Sequence, residues 1–190
     1  MGDEKRHNMH NKGRLIIVLW LTVMAVIAEG RPIITVKTMG DVPQQLTIRV
    51  VAWVDENIGQ VTNAGRFRLK AKKMEDVSVK LNSKSSASDI VLALVAGLDD
   101  ESRLSFVSKN IVVLNLVKMK TTDFETYARR VEKEAVGEVA SALGLPECPL
   151  MACALHDCET VDALDDKSRN LCPPCRIKLI EILKRRDQNP

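Results

Sequence analysis

Aromatic residues are scarce in this chain: Phe, Trp and Tyr together make up 3% of its 190 residues. Histidine is equally scarce, with three copies, of which His7 and His10 stand close to the N-terminus. Apolar residues nevertheless reach 45% and charged residues 28%, which is typical of a globular protein. The core must therefore be aliphatic, and the chain is long enough for one domain with a short appendage.

The excess of positive over negative side chains is also small. The formal net charge is +3, and the Lys and Arg residues are scattered rather than gathered in one stretch. This excludes the basic patch on which nucleic-acid binding depends, so we predict no nucleic-acid partner. The sequence also has no fixed-period repeat, no Gly/Ser linker and no low-complexity tract.

Only one long apolar run is present, Leu15–Ala28, and it is shorter than the roughly 20 residues that a membrane-spanning helix needs. Residues 1–14 before it are polar and basic, and its end resembles a signal-peptide cleavage site. Residues 1–32 are therefore a secretory signal or membrane anchor, a non-native extension with the true start at Met24, or a buried core segment. The protein is cytoplasmic if they are a non-native extension, and otherwise exported or bound to a membrane through residues 15–28. The cysteines described below favour the reducing cytoplasm.

From residue 33 onward, strand and helix patterns alternate, which predicts an α/β fold with a small twisted mixed β-sheet and flanking helices. We expect four or five strands and two or three helices, followed by a C-terminal subdomain that contains the last helix. Strands are predicted at Ile33–Thr38, within Gln60–Ala71, and at Asp89–Leu98, Leu104–Val107 and Ile111–Lys118. Helices are predicted from Pro43 to Gly59, at Lys73–Leu81, at Thr122–Leu143, and after Cys175.

The long helix has clear end signals. Thr122 and Glu125 have the spacing of a capping box at its start, and Gly144 with Pro146 ends it. Along this helix, Glu134, Gly137, Glu138 and Ser141 fall on one face. In the final helix, we expect the buried side to comprise Ile177, Ile180 and Leu183.

All five cysteines lie between residues 148 and 175. Cys148 and Cys153 form a C-x4-C pair, and Cys172 and Cys175 form a C-x2-C pair. Two such pairs separated by a loop are typical of a tetrahedral zinc site. Because four thiolates fill the coordination shell, such an ion has a structural role.

Other interpretations of the cysteines stay open. They could form disulfides or remain buried thiols, and Cys172 with Cys175 could form a redox-active dithiol. A redox dithiol normally opens a helix directly after a buried strand, whereas a polar loop precedes this one. Cys158 is expected to be a free thiol, although it could replace Cys153 as a ligand. His156 is a further alternative ligand.

The segment from Gly137 to Cys175 resembles the archaemetzincins, a metzincin-type family of zinc peptidases. That family carries H-E-x-x-H-x-x-G-x-x-x-C-x4-C-x-M, a spacer and then C-x2-C. The four paired cysteines fall on the family's cysteine positions, which bind a structural zinc. The resemblance implies a metzincin-like fold over residues 33–190, with residues 145–190 as a zinc-stabilised C-terminal subdomain.

The same resemblance fails at the catalytic positions. Glu138 falls on the general-base glutamate, but the three zinc-binding histidines are replaced by Gly137, Ser141 and Glu147. Leu155 replaces the methionine. We therefore expect one structural zinc ion and no catalytic ion. Histidines placed at the three replaced positions are expected to converge on a second zinc.

The family's function is zinc-dependent peptide hydrolysis, which these replacements contradict. The favoured hypothesis is a protein without peptidase activity whose cleft binds an extended peptide beside the strands at Leu104–Lys118. The alternatives are an active metallopeptidase with unconventional ligands and, less favoured, a thiol redox protein using Cys172 and Cys175. The sequence does not indicate an oligomeric state.

Overall fold

The structure, a computed structural model, describes residues 33–82, 89–98 and 102–188. The predictions for residues 1–32 lie outside them. The described residues from 33 to 183 belong to one compact unit, and residues 184–188 are assigned to a second. Within the described ranges, no helix is long and apolar enough to cross a membrane.

A five-stranded mixed sheet forms the middle of this unit. Its strands are β1 (Ile34–Met39), β2 (Val61–Arg66), β3 (Ile90–Val95), β4 (Ser105–Ser108) and β5 (Ile111–Asn115). The spatial order is β2-β1-β3-β5-β4, with β4 antiparallel to β5 and all other pairs parallel. The predicted α/β fold with a mixed sheet is confirmed, and β4 lies at one edge of that sheet.

Helices cover both faces. They are α1 (Gln44–Asn57), α2 (Met74–Asn82), α3 (Leu116–Met119), α4 (Phe124–Ala142), α5 (Val161–Asp166) and α6 (Pro173–Gln188). The short helices α3 and α5 were not predicted, because four to six residues are too few to show helical periodicity. Helix α5 nevertheless positions a functional side chain, as shown below.

Strand β3 explains why helices are needed on both faces. All six of its residues are buried, as predicted for a strand covered on both sides. Ile90, Leu92 and Leu94 pack in the core that includes α1 and α4, and the alternate residues pack in the core that includes α2. The period-two alternation of a strand therefore divides the interior into two layers.

Several predicted element ends are wrong, among them that of strand β3, which ends at Val95 instead of Leu98. The helix α4 is capped by Asp123, not Thr122, because the Asp123 carboxylate accepts hydrogen bonds from the Thr126 backbone N–H at 2.8 Å and hydroxyl at 2.6 Å. Strand β5 ends at Asn115 instead of Lys118. The Asn115 side chain accepts from the Val117 backbone N–H at 3.2 Å and so starts α3.

The predicted buried side of the last helix is wrong at two of its three residues. Ile177 and Ile180 are 59% and 46% exposed, whereas Leu179 is buried. The third predicted residue, Leu183, is partly buried and packs against the core. Cys175 and Leu179 lie one turn apart and both face inward. Because Cys175 must turn toward the other cysteines, its position sets the rotation of α6 and leaves the two isoleucines outside.

A buried carboxylate joins three parts of the chain. Glu132 on α4 accepts hydrogen bonds from Arg49 Nε at 3.0 Å and from Arg169 Nη1 at 2.9 Å. The Arg169 guanidinium also stacks 3.9 Å from the ring centroid of Trp53 on α1. These contacts hold the segment before α6 against α1 and α4.

A pair of glycines offers a test of the β1–α1 turn. Gly40 and Gly65 have nearly the same positive φ, +79° and +76°, but a Cβ at Gly40 would lie 1.7 Å from the Ala96 carbonyl oxygen, and one at Gly65 would meet nothing within 4 Å. Urea denaturation of Gly40→Ala should show a loss of about 3 kcal/mol or more in the free energy of unfolding, against about 1 kcal/mol for Gly65→Ala. Equal losses would contradict the close packing of β1 against β3.

Candidate functional site

The C-terminal half of α4 forms one wall of a small polar cleft. The helix ends where predicted, because Gly144 adopts φ +102° and the Leu145 N–H returns to the Ala140 carbonyl at 3.1 Å. The cleft has a volume of about 190 Å³. Its lining residues are Gly137, Glu138, Ser141, Glu147, Ala154, Leu155, His156, Asp157 and Lys167.

Beside this cleft, the structure brings the four paired cysteines together. All four are buried, and their Sγ atoms lie within 4.8 Å of one another. The Sγ atoms of Cys148 and Cys172 are 3.8 Å apart, and the Cys172 backbone N–H donates to Cys153 Sγ at 3.3 Å. Helix α6 begins at Pro173, which places Cys175 in its first turn.

This donor set fits zinc. Burial, followed by the hydrogen bond that its thiol donates to Cys172, raises the pKa of Cys175 far above that of an ordinary thiol. Four thiolates therefore cannot share this space unless a cation compensates their charge. Zn²⁺ binds four thiolates at about 2.3 Å in a closed tetrahedral shell. Ligation of zinc by these cysteines stays a prediction that the geometry favours.

The two alternative ligands lie elsewhere. Cys158 Sγ is 3.9 Å from Glu134 Oε2, and burial together with the Glu134 charge raises the pKa of this thiol to about 11. His156 Nδ1 lies 3.0 Å from the Cys148 carbonyl oxygen. Among the described residues, the cluster of potential ligands comprises the four paired cysteines and neither of these side chains.

The positions of the three missing histidines do not form a metal site. A Cβ on Gly137 would lie 2.2 Å from the Ala154 carbonyl oxygen and 3.7 Å from Lys167 Nζ. Ser141 and Glu147 are exposed. The residues present do not fit a catalytic zinc ion. A histidine at 137 would require the Ala154 backbone to shift, and the convergence of three introduced histidines on a second zinc stays a prediction.

A buried network occupies this side of the cleft instead. Lys167 Nζ donates to Glu134 Oε2 at 2.7 Å and to the His156 carbonyl oxygen at 3.3 Å, and both charged side chains are almost fully buried. Ser105 Oγ lies 2.7 Å from Glu134 Oε1 and 2.8 Å from Glu138 Oε1. Sequence analysis missed Lys167, because no local pattern marks a single lysine after α5 as the partner of a residue on α4.

Hydrogen counting constrains the protonation of this network. The Ser105 hydroxyl has one hydrogen and cannot donate to two carboxylates at once. Burial, followed by the charge of Glu134, raises the pKa of Glu138 to about 7. Burial lowers the pKa of Lys167, but the charge and hydrogen bond of Glu134, together with the charges of Cys158 and Glu138, outweigh burial, so the pKa lies above the ordinary value. The consistent arrangement has Glu138 protonated, donating to Ser105, which donates to an ionised Glu134 bound by the Lys167 ammonium.

The family model and the related sequences agree on one protein family. The sequence model described as Peptidase family M54 matches residues 49–181. The archaemetzincin of Archaeoglobus fulgidus is 36% identical over 67 residues, which cover 35% of this chain and 41% of that protein. The archaemetzincin of Natronomonas pharaonis is 38% identical over 56 residues, which cover 30% of this chain and 32% of that protein. The chain thus matches less than half the length of these curated relatives.

Solved structures extend the similarity to the fold. The crystal structure of archaemetzincin from Methanopyrus kandleri has a TM-score of 0.71 at 22% identity, covering 83% of this chain and 99% of that one. A zinc-dependent peptidase from Methanocorpusculum labreanum has a TM-score of 0.66 at 18% identity, covering 77% and 99%. At these identities the likeness concerns the fold alone.

The raised pKa of Glu138 should appear in the pH dependence of stability. Its folded pKa of about 7 exceeds the ordinary value of 4.5. Between these pH values the folded chain binds more protons than the unfolded chain, so the free energy of unfolding falls as pH rises. Relative to Glu138→Gln, which cannot titrate, the parent should lose at most about 3 kcal/mol over this window in urea denaturation. Parallel curves for the two proteins would show that Glu138 is ionised throughout.

Proposed function

Because this chain belongs to peptidase family M54, the archaemetzincins, and yet presents no ligand at two of its three catalytic metal positions, we propose that it is a zinc-stabilised, peptide-binding protein without peptidase activity. One observation carries this proposal. At Gly137, the space that a ligand would enter is already filled by the Ala154 carbonyl and the Lys167 ammonium.

The single zinc ion of this proposal is structural. Cys148, Cys153, Cys172 and Cys175 would hold it, and it would join the turn after α4 to the start of α6. A zinc ion with four thiolate ligands has no open position for water, so it would stabilise the fold and take no part in hydrolysis. Such an ion contributes directly to the free energy of folding of the segment that binds it.

Hydrolysis by a zinc peptidase requires a metal-bound water and a base to accept its proton. Gly137 has no side chain and Ser141 offers only a neutral hydroxyl, so α4 supplies no charged or imidazole ligand at these positions. Glu138, at the general-base position, has a pKa raised to about 7, so it is mostly protonated below that pH and can accept a proton only above it. The ligands for a metal-bound water are therefore missing, whereas the base is lost only at lower pH.

Peptide binding is supported by the edge of the sheet. Among the described residues, β4 pairs with β5 on one side only, so its other backbone edge has no partner there and could pair with an extended strand. Ser105, the first residue of β4, contacts Glu138 in the cleft. A peptide lying along β4 would therefore pass the mouth of the cleft. Of the described residues, this strand is the one that joins an open sheet edge to the cleft.

Two alternatives remain and have different signatures. An active metallopeptidase would need Glu138 and Glu147 as unconventional ligands and would turn over substrate. A thiol oxidoreductase would need accessible thiolates at Cys172 and Cys175. The start of α6 at Pro173 resembles the helix start of a redox dithiol, but both sulfurs are buried with two further cysteines.

The proposal is tested with a library of random heptapeptides that carry a photo-crosslinking group and an internally quenched fluorophore. We expect no turnover of the library by the zinc-loaded protein. We expect crosslinks at residues 105–108 and in the cleft, located by mass spectrometry. A library methylated at alternate backbone nitrogens serves as the control, since it cannot pair with β4.

Turnover that depends on Glu138, measured with Glu138→Gln, would establish the active alternative. Crosslinks that persist with the methylated library, or that fall away from β4, would contradict strand addition. Disulfide reduction by the protein, lost in Cys175→Ser, would establish the redox alternative.

A further inference from the structure

The Lys167 ammonium in the cleft is unusual because it is almost fully buried. Lys167 and Glu134 are 3% and 2% exposed at their side chains, and lysine is almost never buried to this degree unless it is paired. Removing either partner of such a pair leaves an uncompensated buried charge. The short helix α5 ends at Asp166, and its last turn delivers Lys167 into the cleft.

Most of the atoms around the ammonium are oxygens, and one is the sulfur of Cys158. The oxygens are Glu134 Oε2, the His156 carbonyl and, through the shared Ser105 hydroxyl, the carboxyl group of Glu138. Carboxylate, hydroxyl and carbonyl oxygens are the ligands that hard divalent cations such as Mg²⁺ and Mn²⁺ prefer. The ammonium therefore lies where oxygen ligands would otherwise attract a cation from solution.

We propose that the cleft carries its own cation: the Lys167 ammonium compensates the Glu134 carboxylate in place of a metal ion, and its presence keeps a second metal ion out of the native protein. This inference does not depend on peptide binding. It predicts that removal of the ammonium opens an oxygen-ligand site for a hard divalent cation.

The test uses the full-length, zinc-loaded protein and its Lys167→Ala variant, titrated with Mn²⁺. Free Mn²⁺ is measured by electron paramagnetic resonance, and thermal unfolding is followed at each concentration. Lys167→Ala should lower the Tm by roughly 6–20 °C, bind one Mn²⁺ and regain part of the lost Tm. Mg²⁺ should compete for the same site, and the parent should bind no Mn²⁺ in the cleft.

Lys133→Ala is the matched control. Lys133 also links α4 to α5, but it donates to the backbone carbonyls of Leu164 and Asp165 at 3.0 and 2.6 Å rather than to a buried carboxylate. This variant should bind no more Mn²⁺ than the parent. The double variant Glu134→Gln, Lys167→Met removes both charges of the pair and should unfold at a higher temperature than Lys167→Met alone.

The pH dependence of the Tm deficit distinguishes a loss of charge compensation from a loss of packing. With Lys167 absent, Glu134 and Glu138 face each other across one hydroxyl, so protonation relieves their repulsion and the Tm deficit of Lys167→Ala should be larger at pH 8 than at pH 5.5. The other ionisable groups near this network are Lys133, Glu147, His156, Asp157 and Cys158.

The inference is overturned if the parent binds Mn²⁺ in the cleft, or if Lys167→Ala binds no more Mn²⁺ than Lys133→Ala and has the same Tm deficit at both pH values. If Lys167→Ala does not fold alone, recovery by Mn²⁺ or at pH 5.5 supports the inference. Failure of the charge-free double variant to fold would show that the lysine acts through packing and would also overturn it.

Discussion

Four buried sulfur atoms constrain the part of the chain on which the cleft depends. Between the end of α4 and the start of α6, the described chain has one regular element, the six-residue helix α5. This stretch is too short to build a core of its own, and the cysteines lie where that core would be. Their convergence sets the rotation of α6 and fixes the turn that carries Ala154 and Leu155. That turn is the floor of the cleft.

The position of the turn at Ala154 and Leu155 determines which side chains fit in the cleft. The Ala154 carbonyl approaches α4 so closely that only a glycine fits at 137, and the same approach brings the His156 carbonyl within reach of Lys167. Gly137 and Lys167 therefore belong to one arrangement. The Ala154 backbone takes the place of a ligand side chain at position 137, and the Lys167 ammonium takes the place of the metal ion. Loss of the cysteines would remove the stability of the whole segment, whereas loss of the catalytic histidines removes activity alone. A chain can thus retain the first site after the second has gone.

Much of this could be predicted from sequence, because the signals are local. A near-continuous apolar run predicted β3, a glycine predicted the end of α4, and paired spacing predicted the cluster of four cysteines. The network of Lys167, Glu134, Ser105 and Glu138 could not be predicted, since its members lie on separate elements and meet only through the sheet order and the position of α5. The prediction that Ile177 is buried failed for a related reason. Periodicity gives two candidate faces of a basic helix, and the direction of Cys175, a tertiary constraint, decides between them.

The central claim is that one metal site persists and the other has become an internal ion pair. X-ray absorption at the zinc edge, combined with a zinc count by native mass spectrometry on the same sample, tests it most directly. The account predicts one zinc per chain with four sulfur neighbours at about 2.3 Å and no nitrogen or oxygen neighbours. A second zinc, or a first shell that mixes sulfur with lighter atoms, would contradict it.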